Sequence, residues 1–443
     1  MLAGLQIALP AVITGRERVR PAAPGQGAND YLYRMSAKEK RLIVIGGGAA
    51  GFFCAVNAAR MGQGLRVTLL EKTGKLLSKV KVSGGGRCNV THACFDIGEM
   101  MKRYPRGGQF VRKAFHQFFT TDTIQWFRER GVELKTETDG RMFPVSNVSQ
   151  TIIDCLMTEA ERYKVDIRIH AEVIKVEQGF RVYLAGDREL EADAVCIACG
   201  GYPKSDSFSW VRALGHTIEE PVPSLFTFNM PGNEITKLMG VSVPEAKVKI
   251  AGSKLQESGP LLITHWGMSG PAVLRLSAWG ARELAADAYK FTALVNWTGG
   301  LTENEVREKL QQLRYDWAGQ KVMSKNPFGL PTRLWEYALE ACGVKAELRW
   351  ADLPAKETNK LVSFLSAGTF PVSGKTTFKE EFVTAGGVRL SEVEVSKMAS
   401  KKVTGLFFAG EILDVDGVTG GFNFQHAWTS GWIAANAIVQ QLF

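Results

Sequence analysis

Gly46, Gly48 and Gly51 stand at the spacing G-x-G-x-x-G. That spacing suits one kind of chemistry, holding a pyrophosphate against the main chain. The first glycine allows a sharp turn, the second lets phosphate approach the backbone, and the third lets a helix pack close to a strand. The free N–H groups and the dipole of the helix start favour the phosphate charge. The flanking residues supply the elements this needs. Leu42, Ile43, Val44 and Ile45 read as a buried strand, Ala49 to Met61 as a helix closed by Gly62 or Gly64, and Leu65 to Leu70 as a second strand. That strand ends on Glu71, twenty residues after Gly51. A carboxylate there accepts hydrogen bonds from a ribose diol and repels a 2′-phosphate.

Three further stretches carry reactive residue types. Ser83-Gly84-Gly85-Gly86-Arg87-Cys88-Asn89 is a turn that exposes N–H groups and a cation, as anion recognition requires. Cys196 and Cys199 form a C-x-x-C, but the segment reads as a strand, where positions three apart face opposite ways. No second cysteine pair completes a tetrahedral metal site, so no metal is expected there. The Gly200-Gly201 step that follows suggests another close approach of backbone to ligand. Near the end, Leu406 to Ala409 reads as a buried strand. It leads into Gly410-Glu411-Ile412-Leu413-Asp414, then Gly417 to Asn423, and a helix from about Phe424 to Gln440. A second strand, glycine loop and helix start is more than NAD requires. FAD is longer, and a helix N-terminus beside its ring stabilises the negative charge of the reduced flavin. The pairing of distant ends makes the dinucleotide-binding part discontinuous.

Between these ends the chain alternates in character. Residues 96–165 read mainly helical. Thr120 or Thr121 is expected to cap a helix carrying Trp126 and Phe127, a hairpin is expected around Asp139-Gly140, and Ser149 is expected to cap a helix to Tyr163. Short strands follow to Ala198. Residues 204–370 read as an insert. Its strands lie near 222–230, 246–250, 261–266 and 291–297, a helix runs from Ala272 to Ala286, and residues 302–366 are helical, opened by a capping box at Thr302 and Glu305. His265 beside Trp266 at a loop edge, and Cys88 in the glycine turn, are the candidates for catalysis.

The totals bound the function. The chain has 443 residues, with 45% hydrophobic and 22% charged, which is ordinary for two or three soluble domains. A formal charge of +9 permits anionic ligands. The basic residues are not clustered with interleaved aromatics, so nucleic acid is not the expected partner. Seven scattered cysteines fit a reducing, cytoplasmic setting, and no apolar run is long enough to span a membrane. Residues 1–38, with arginines, prolines and glycines, read as a flexible extension, and Met35 is a plausible true start. No feature of the sequence points to an oligomeric state.

With Glu71, residues 83–89, Thr384-Ala385-Gly386-Gly387-Val388 and residues 410–423 in view, the chain resembles the YhiN/BaiN-type bacterial flavoproteins, which are NAD(P)/FAD-dependent oxidoreductases. The resemblance runs from about Arg41 to Phe443. It implies an α/β fold, with a discontinuous Rossmann-like FAD-binding domain (residues 39–203 and 371–443) and an inserted β-barrel plus helical-bundle domain (204–370). It also implies FAD contacts. Gly46, Gly48, Ala49, Ala50 and Gly51 would hold the pyrophosphate and Glu71 the ribose. Lys79, Gly86, Arg87, Cys88 and Asn89 would line the middle of the cofactor and the ring, and Val173 would meet the adenine. Glu411 would approach the ribityl chain, and Gly421, Asn423 and Phe424 the ring. The loop departs from the family pattern in carrying a second lysine, Lys81. The implied reaction is hydride transfer through flavin N5 from NADH or NADPH to a small organic acceptor, an enone in some relatives. No second G-x-G-x-x-G exists, so the nicotinamide would be a transient visitor. An amine or alcohol oxidase using O₂, and a flavin-dependent RNA-modification protein, are the alternatives.

Overall fold

The computed structural model describes residues 39–377 and 383–443. The extension over residues 1–38 and the start at Met35 lie outside the described residues.

The glycine turn opens from β1 (Lys40–Ile45) into α1 (Ala49–Met61), which returns to β2 (Leu65–Leu70). β1 pairs in parallel with β2 on one side and with β4 (Ala194–Ile197) on the other. β3 (Asp166–Arg168) extends the sheet beyond β2, and β5 (Leu406–Phe408) extends it beyond β4. Two short antiparallel strands, Val393–Glu394 and Ala399–Ser400, finish the edge, so this seven-stranded sheet is mixed. β1 and β2 are buried over their last four residues, and the residues of the 173–191 meander, Phe180, Val182 and Leu184, share the same core. Leu42, Val44, Leu69, Val195 and Phe408 are all fully buried. α2 (Phe422–Leu442) packs across α1, with Phe53 and Trp428 ring centroids 5.3 Å apart. Residues more than 300 positions apart thus build one core.

The strands Val173–Val176, Arg181–Leu184 and Arg188–Glu191 form an antiparallel meander, the last of which the sequence reading missed. Leu134–Thr136 and Arg141–Pro144 form the expected hairpin across Asp139-Gly140. Thr120 and Thr121 do not cap the next helix, as had been expected. Thr120 is already its first residue, the N-cap is Phe119, and the Asp122 carboxylate accepts from the Phe119 N–H at 2.7 Å. Ser149 stands at its N-cap position, but its hydroxyl donates to the Lys81 carbonyl at 2.8 Å and does not cap.

A second seven-stranded sheet is antiparallel throughout. Its two outermost strands, Gly368–Ser373 and Lys375–Thr376, are joined through Gly374 alone. One segment therefore supplies both edges, and the sheet closes on itself as a barrel, which leaves no open edge. The helix expected over 272–286 breaks at Gly280 into Pro271–Trp279 and Ala281–Ala286. Helices Glu303–Asp316, Thr332–Ala341 and Ala355–Ala367 share the barrel's apolar core. The first of them has the expected capping box, with the Thr302 N–H donating to Glu305 Oε2 at 2.6 Å.

Candidate flavin site

The three motif glycines do three separable jobs. Gly46 has φ +118°, and a Cβ there would lie 2.4 Å from the Ala198 carbonyl oxygen. A Cβ on Gly51 would lie 1.9 Å from the carbonyl oxygen of Gly46, so helix and turn touch there. A Cβ on Gly48 would meet nothing within 4 Å. Gly48 is the N-cap of α1, and its open side leaves the backbone N–H groups of the helix start unobstructed, the geometry an anion can use. Ala49 and Ala50 continue the helix start, and Ala50 abuts Gly410 of the second glycine segment.

Glu71 sits at the end of β2. Its Oε2 accepts from the Gly47 N–H at 2.9 Å, and its Oε1 accepts from the N–H and hydroxyl of Thr73 at 2.9 and 2.8 Å. Oε2 keeps an unused lone pair, as a ribose hydroxyl needs. The Ala171 N–H donates to the Glu71 carbonyl at 2.9 Å, which places the half-buried Val173 strand nearby.

Residues 83–89 fold as a tight reversal. Gly84, Gly85 and Gly86 have positive φ, as does Cys88 at 62°. Burial pushes the Cys88 thiol up to about 12, so it is no thiolate at neutral pH. Arg87 is not a free cation. It pairs with Glu137 at 2.5 Å and lies 4.0 Å over the Phe143 ring. The Asn89 amide, oriented so that its oxygen accepts from the Gly421 N–H and its nitrogen donates to the Thr91 carbonyl, makes both bonds at 3.0 Å. The two glycine segments are therefore bonded to each other. Lys79 and Glu411 form a second tie, with Nζ to Oε2 at 2.5 Å, while Glu411 Oε1 accepts from the Thr384 N–H at 2.9 Å. Lys81 is exposed.

Gly421 is the N-cap of α2, with φ 93°, and a Cβ there would lie 2.5 Å from the Thr91 carbonyl oxygen. Asn423 closes the loop locally, accepting from the Gly417 N–H at 2.8 Å and donating to its carbonyl at 2.9 Å. Phe424 stacks on Trp428 with centroids 5.8 Å apart. His265 is exposed on the turn between the strands Gln256–Thr264 and Gly267–Ser269, its ring against Trp266, and shares no hydrogen bond with the glycine segments. Cys196 faces Cys54, whereas Cys199 faces Tyr202.

Several polar residues here carried no sequence signal. His92 stacks on Phe422 at 4.7 Å, and its Nδ1 is 3.0 Å from the Gly420 carbonyl oxygen. Arg106 forms a buried pair with Asp416. His426 is buried in α2, with Nε2 3.2 Å from the carbonyl oxygen of Gly410. Burial lowers its pKa from 6.5 to about 4, so it is a neutral ring donating through Nε2. The native state then binds fewer protons than the unfolded chain between those values. Stability is full above pH 6.5 and falls as the pH drops towards 4, by about 3 kcal/mol from this group. His426→Gln, which keeps a donor for the Gly410 carbonyl, is expected to flatten that slope in denaturant titrations. An unchanged slope would mean that His426 titrates normally.

The open side of Gly48, the spare lone pair of Glu71, the contact of Ala50 with Gly410 and the Asn89 bond to the start of α2 fit a ligand longer than a mononucleotide. The chain is similar to known proteins. A profile described as HI0933-like protein Rossmann domain matches residues 40–437. The ribosomal RNA dihydrouridine synthase of Escherichia coli (strain K12) is 31% identical over 90% of this chain and 97% of its own length. The 3-dehydro-bile acid delta(4,6)-reductase of Clostridium scindens is 27% identical over 90% of this chain and 99% of its own. The solved 3-ketosteroid-delta4-(5alpha)-dehydrogenase from Rhodococcus jostii RHA1 aligns at TM-score 0.48 and 13% identity, over 91% of this chain and 98% of that one. The match across nearly all the described residues, on a fold whose glycine turns fit a long dinucleotide, makes this chain a member of the HI0933-like Rossmann family of FAD-dependent oxidoreductases.

Proposed function

We propose that this enzyme reduces a carbon–carbon double bond conjugated to a carbonyl, with NADH or NADPH as the electron source. The observation that carries the reading is the chemistry shared by the names of two relatives aligned over nearly their whole length. Dihydrouridine differs from uridine by saturation of a ring double bond conjugated to a carbonyl. A delta(4,6)-reductase of a 3-dehydro-bile acid saturates a dienone. FAD, when bound and reduced by the nicotinamide, would supply a hydride to one carbon of the double bond, and the neighbouring carbon would take a proton that comes ultimately from solvent.

The chain's part is to bind and orient. In this reading Gly46, Gly48, Ala49, Ala50 and Gly51 hold the pyrophosphate, Glu71 the ribose and Val173 the adenine. Lys79, Gly86, Arg87, Cys88, Asn89, Glu411, Gly421, Asn423 and Phe424 surround the remainder. The reading keeps an insert beginning near residue 204, and the strands through Thr376 favour a far edge nearer 376 than 370. Free cysteines at all seven positions support a reducing, cytoplasmic location. Among the described residues no helix is long and apolar enough to cross a membrane.

A small enone is the first substrate reading. A uracil ring in ribosomal RNA is the second, favoured by the name of the 31% identical relative and permitted by the +9 charge. Stopped-flow mixing with NADH and NADPH tests the shared step, and bleaching of the flavin by at least one is expected. Turnover with a 3-keto-Δ4,6 steroid, against formation of dihydrouridine in a ribosomal RNA fragment, then separates the substrates. Failure of both nicotinamides together with rapid bleaching by an amine would replace the reductase with an oxidase.

A further inference from the structure

Asp416 is fully buried one residue before the loop 417–421. Both its carboxylate oxygens accept from the Arg106 guanidinium, and Ser224 Oγ donates to one of them. Arg106 Nη2 also donates to the Ala278 carbonyl at 2.7 Å, and the Arg106 and Asp416 backbones form an antiparallel bridge. Three segments, around residues 106, 224–278 and 416, meet on this one pair. The same stretch before Arg106 grips the loop further along. The Val418 N–H donates to the Arg103 carbonyl at 2.9 Å, and the Tyr104 hydroxyl donates to the Phe422 carbonyl at 2.6 Å. A Cβ on Gly107 would lie 2.6 Å from the Val415 side chain, so the segments are in contact there too. The neighbouring Asp414 is neutralised separately by Arg282, at 2.9 and 3.0 Å.

We propose that Arg106 and Asp416 are positioning residues that hold the loop 417–421 and set the local charge behind it, and thereby the reduction potential of bound FAD. The inference rests on the assignment of that loop to the flavin ring. Its physical basis is that a buried ion pair presents little net field, whereas removing one partner leaves the other charge uncompensated in a medium that screens poorly. Burial already pushes the Asp416 carboxyl upward against the pull of Arg106. The two single deletions are therefore unequal. Asp416→Asn leaves a permanent cation behind the loop, which favours the anionic reduced ring and raises the potential. Arg106→Met leaves a buried carboxyl that takes up a proton and becomes neutral, so the potential does not rise. Ser224→Ala removes one donor from the carboxylate and keeps both charges. It exposes the loop to more of the negative charge and lowers the potential slightly.

The test is the midpoint potential of each purified holoprotein by dye equilibration, beside its FAD dissociation constant and its circular dichroism. A rise for Asp416→Asn, no rise for Arg106→Met and a return towards wild type in Arg106→Met/Asp416→Leu are the expected results. Loosening of the loop alone would move both single variants the same way, and that result overturns the proposal. If Asp416→Asn does not fold, Ser224→Ala decides, and an unshifted potential in that folded variant overturns it equally. A wild-type protein that binds no FAD would instead remove the loop assignment itself.

Discussion

Gly48→Val is expected to give a protein that folds and melts as the wild-type apoprotein does but carries no FAD. The reason lies in how differently the three motif glycines are used. A side chain on Gly51 would occupy the position of the Gly46 carbonyl oxygen, 1.9 Å away, and one on Gly46 would strike Ala198 from a left-handed backbone. Valine at either position disrupts the strand, turn and helix themselves. Gly48 has φ −92° and ψ −173°, an extended conformation any residue adopts, with nothing within 4 Å of a Cβ. Valine there costs the fold little and stands where phosphate must approach the N–H groups of α1. The visible spectrum of the purified variant, with its thermal melt, checks this. A yellow Gly48→Val protein with normal FAD affinity would remove the pyrophosphate from this turn. Glu71→Ala is a less clean test, because Glu71 also holds the Gly47 N–H and Thr73, so its loss disturbs the turn as well as the ribose contact.

What was legible in the sequence was what is local. The glycine turns, the acid after β2, the Thr302–Glu305 capping box and the Asp139-Gly140 hairpin all depend on residues within a few positions of one another, and all are present. The Phe119 cap was missed because the side chain that completes it belongs to Asp122, inside the helix, while two threonines nearby advertise a cap they do not make. The break at Gly280 was read through because good helix formers, Ala278 before it and Ala281, Arg282 and Glu283 after it, continue on both sides. The barrel's closure at Gly374 and the Arg106–Asp416 pair had no signal at all. The pair's partners are 310 positions apart, and although Asp416 lies within residues 410–423, nothing local to it names Arg106 as its partner. Motif matching also suggested what Arg87 would touch, but not that Glu137 and Phe143 would fix its direction.

Gly431→Val is expected to lower both thermal stability and FAD affinity, although residue 431 lies in the third turn of α2 and in no glycine loop. A Cβ there would be 2.7 Å from the Ala50 carbonyl oxygen, 3.2 Å from the Cys54 nitrogen and 3.2 Å from the Phe53 Cβ. The two helices that begin at the two glycine loops therefore cross on this glycine, backbone against backbone. A branched side chain must push them apart, and overpacking of this kind typically costs about 1–3 kcal/mol. The displacement moves one helix start relative to the other, and the contact of Gly410, whose N–H donates to Ser430 of α2, with Ala50 of α1 depends on that spacing. Alanine separates the effects. It gains about 1 kcal/mol of helix propensity over glycine and brings only one methyl, so Gly431→Ala should fall between wild type and valine in FAD affinity. Equilibrium FAD titration of the apoprotein, with melts of apo and holo forms, measures both quantities. If affinity is unchanged in a destabilised Gly431→Val protein, the two helix starts do not act on one cofactor. If stability is unchanged as well, the helices do not meet at this residue. The affinity falling in step from glycine to alanine to valine would tie the halves of the site, most of the chain apart in sequence, to a single ligand.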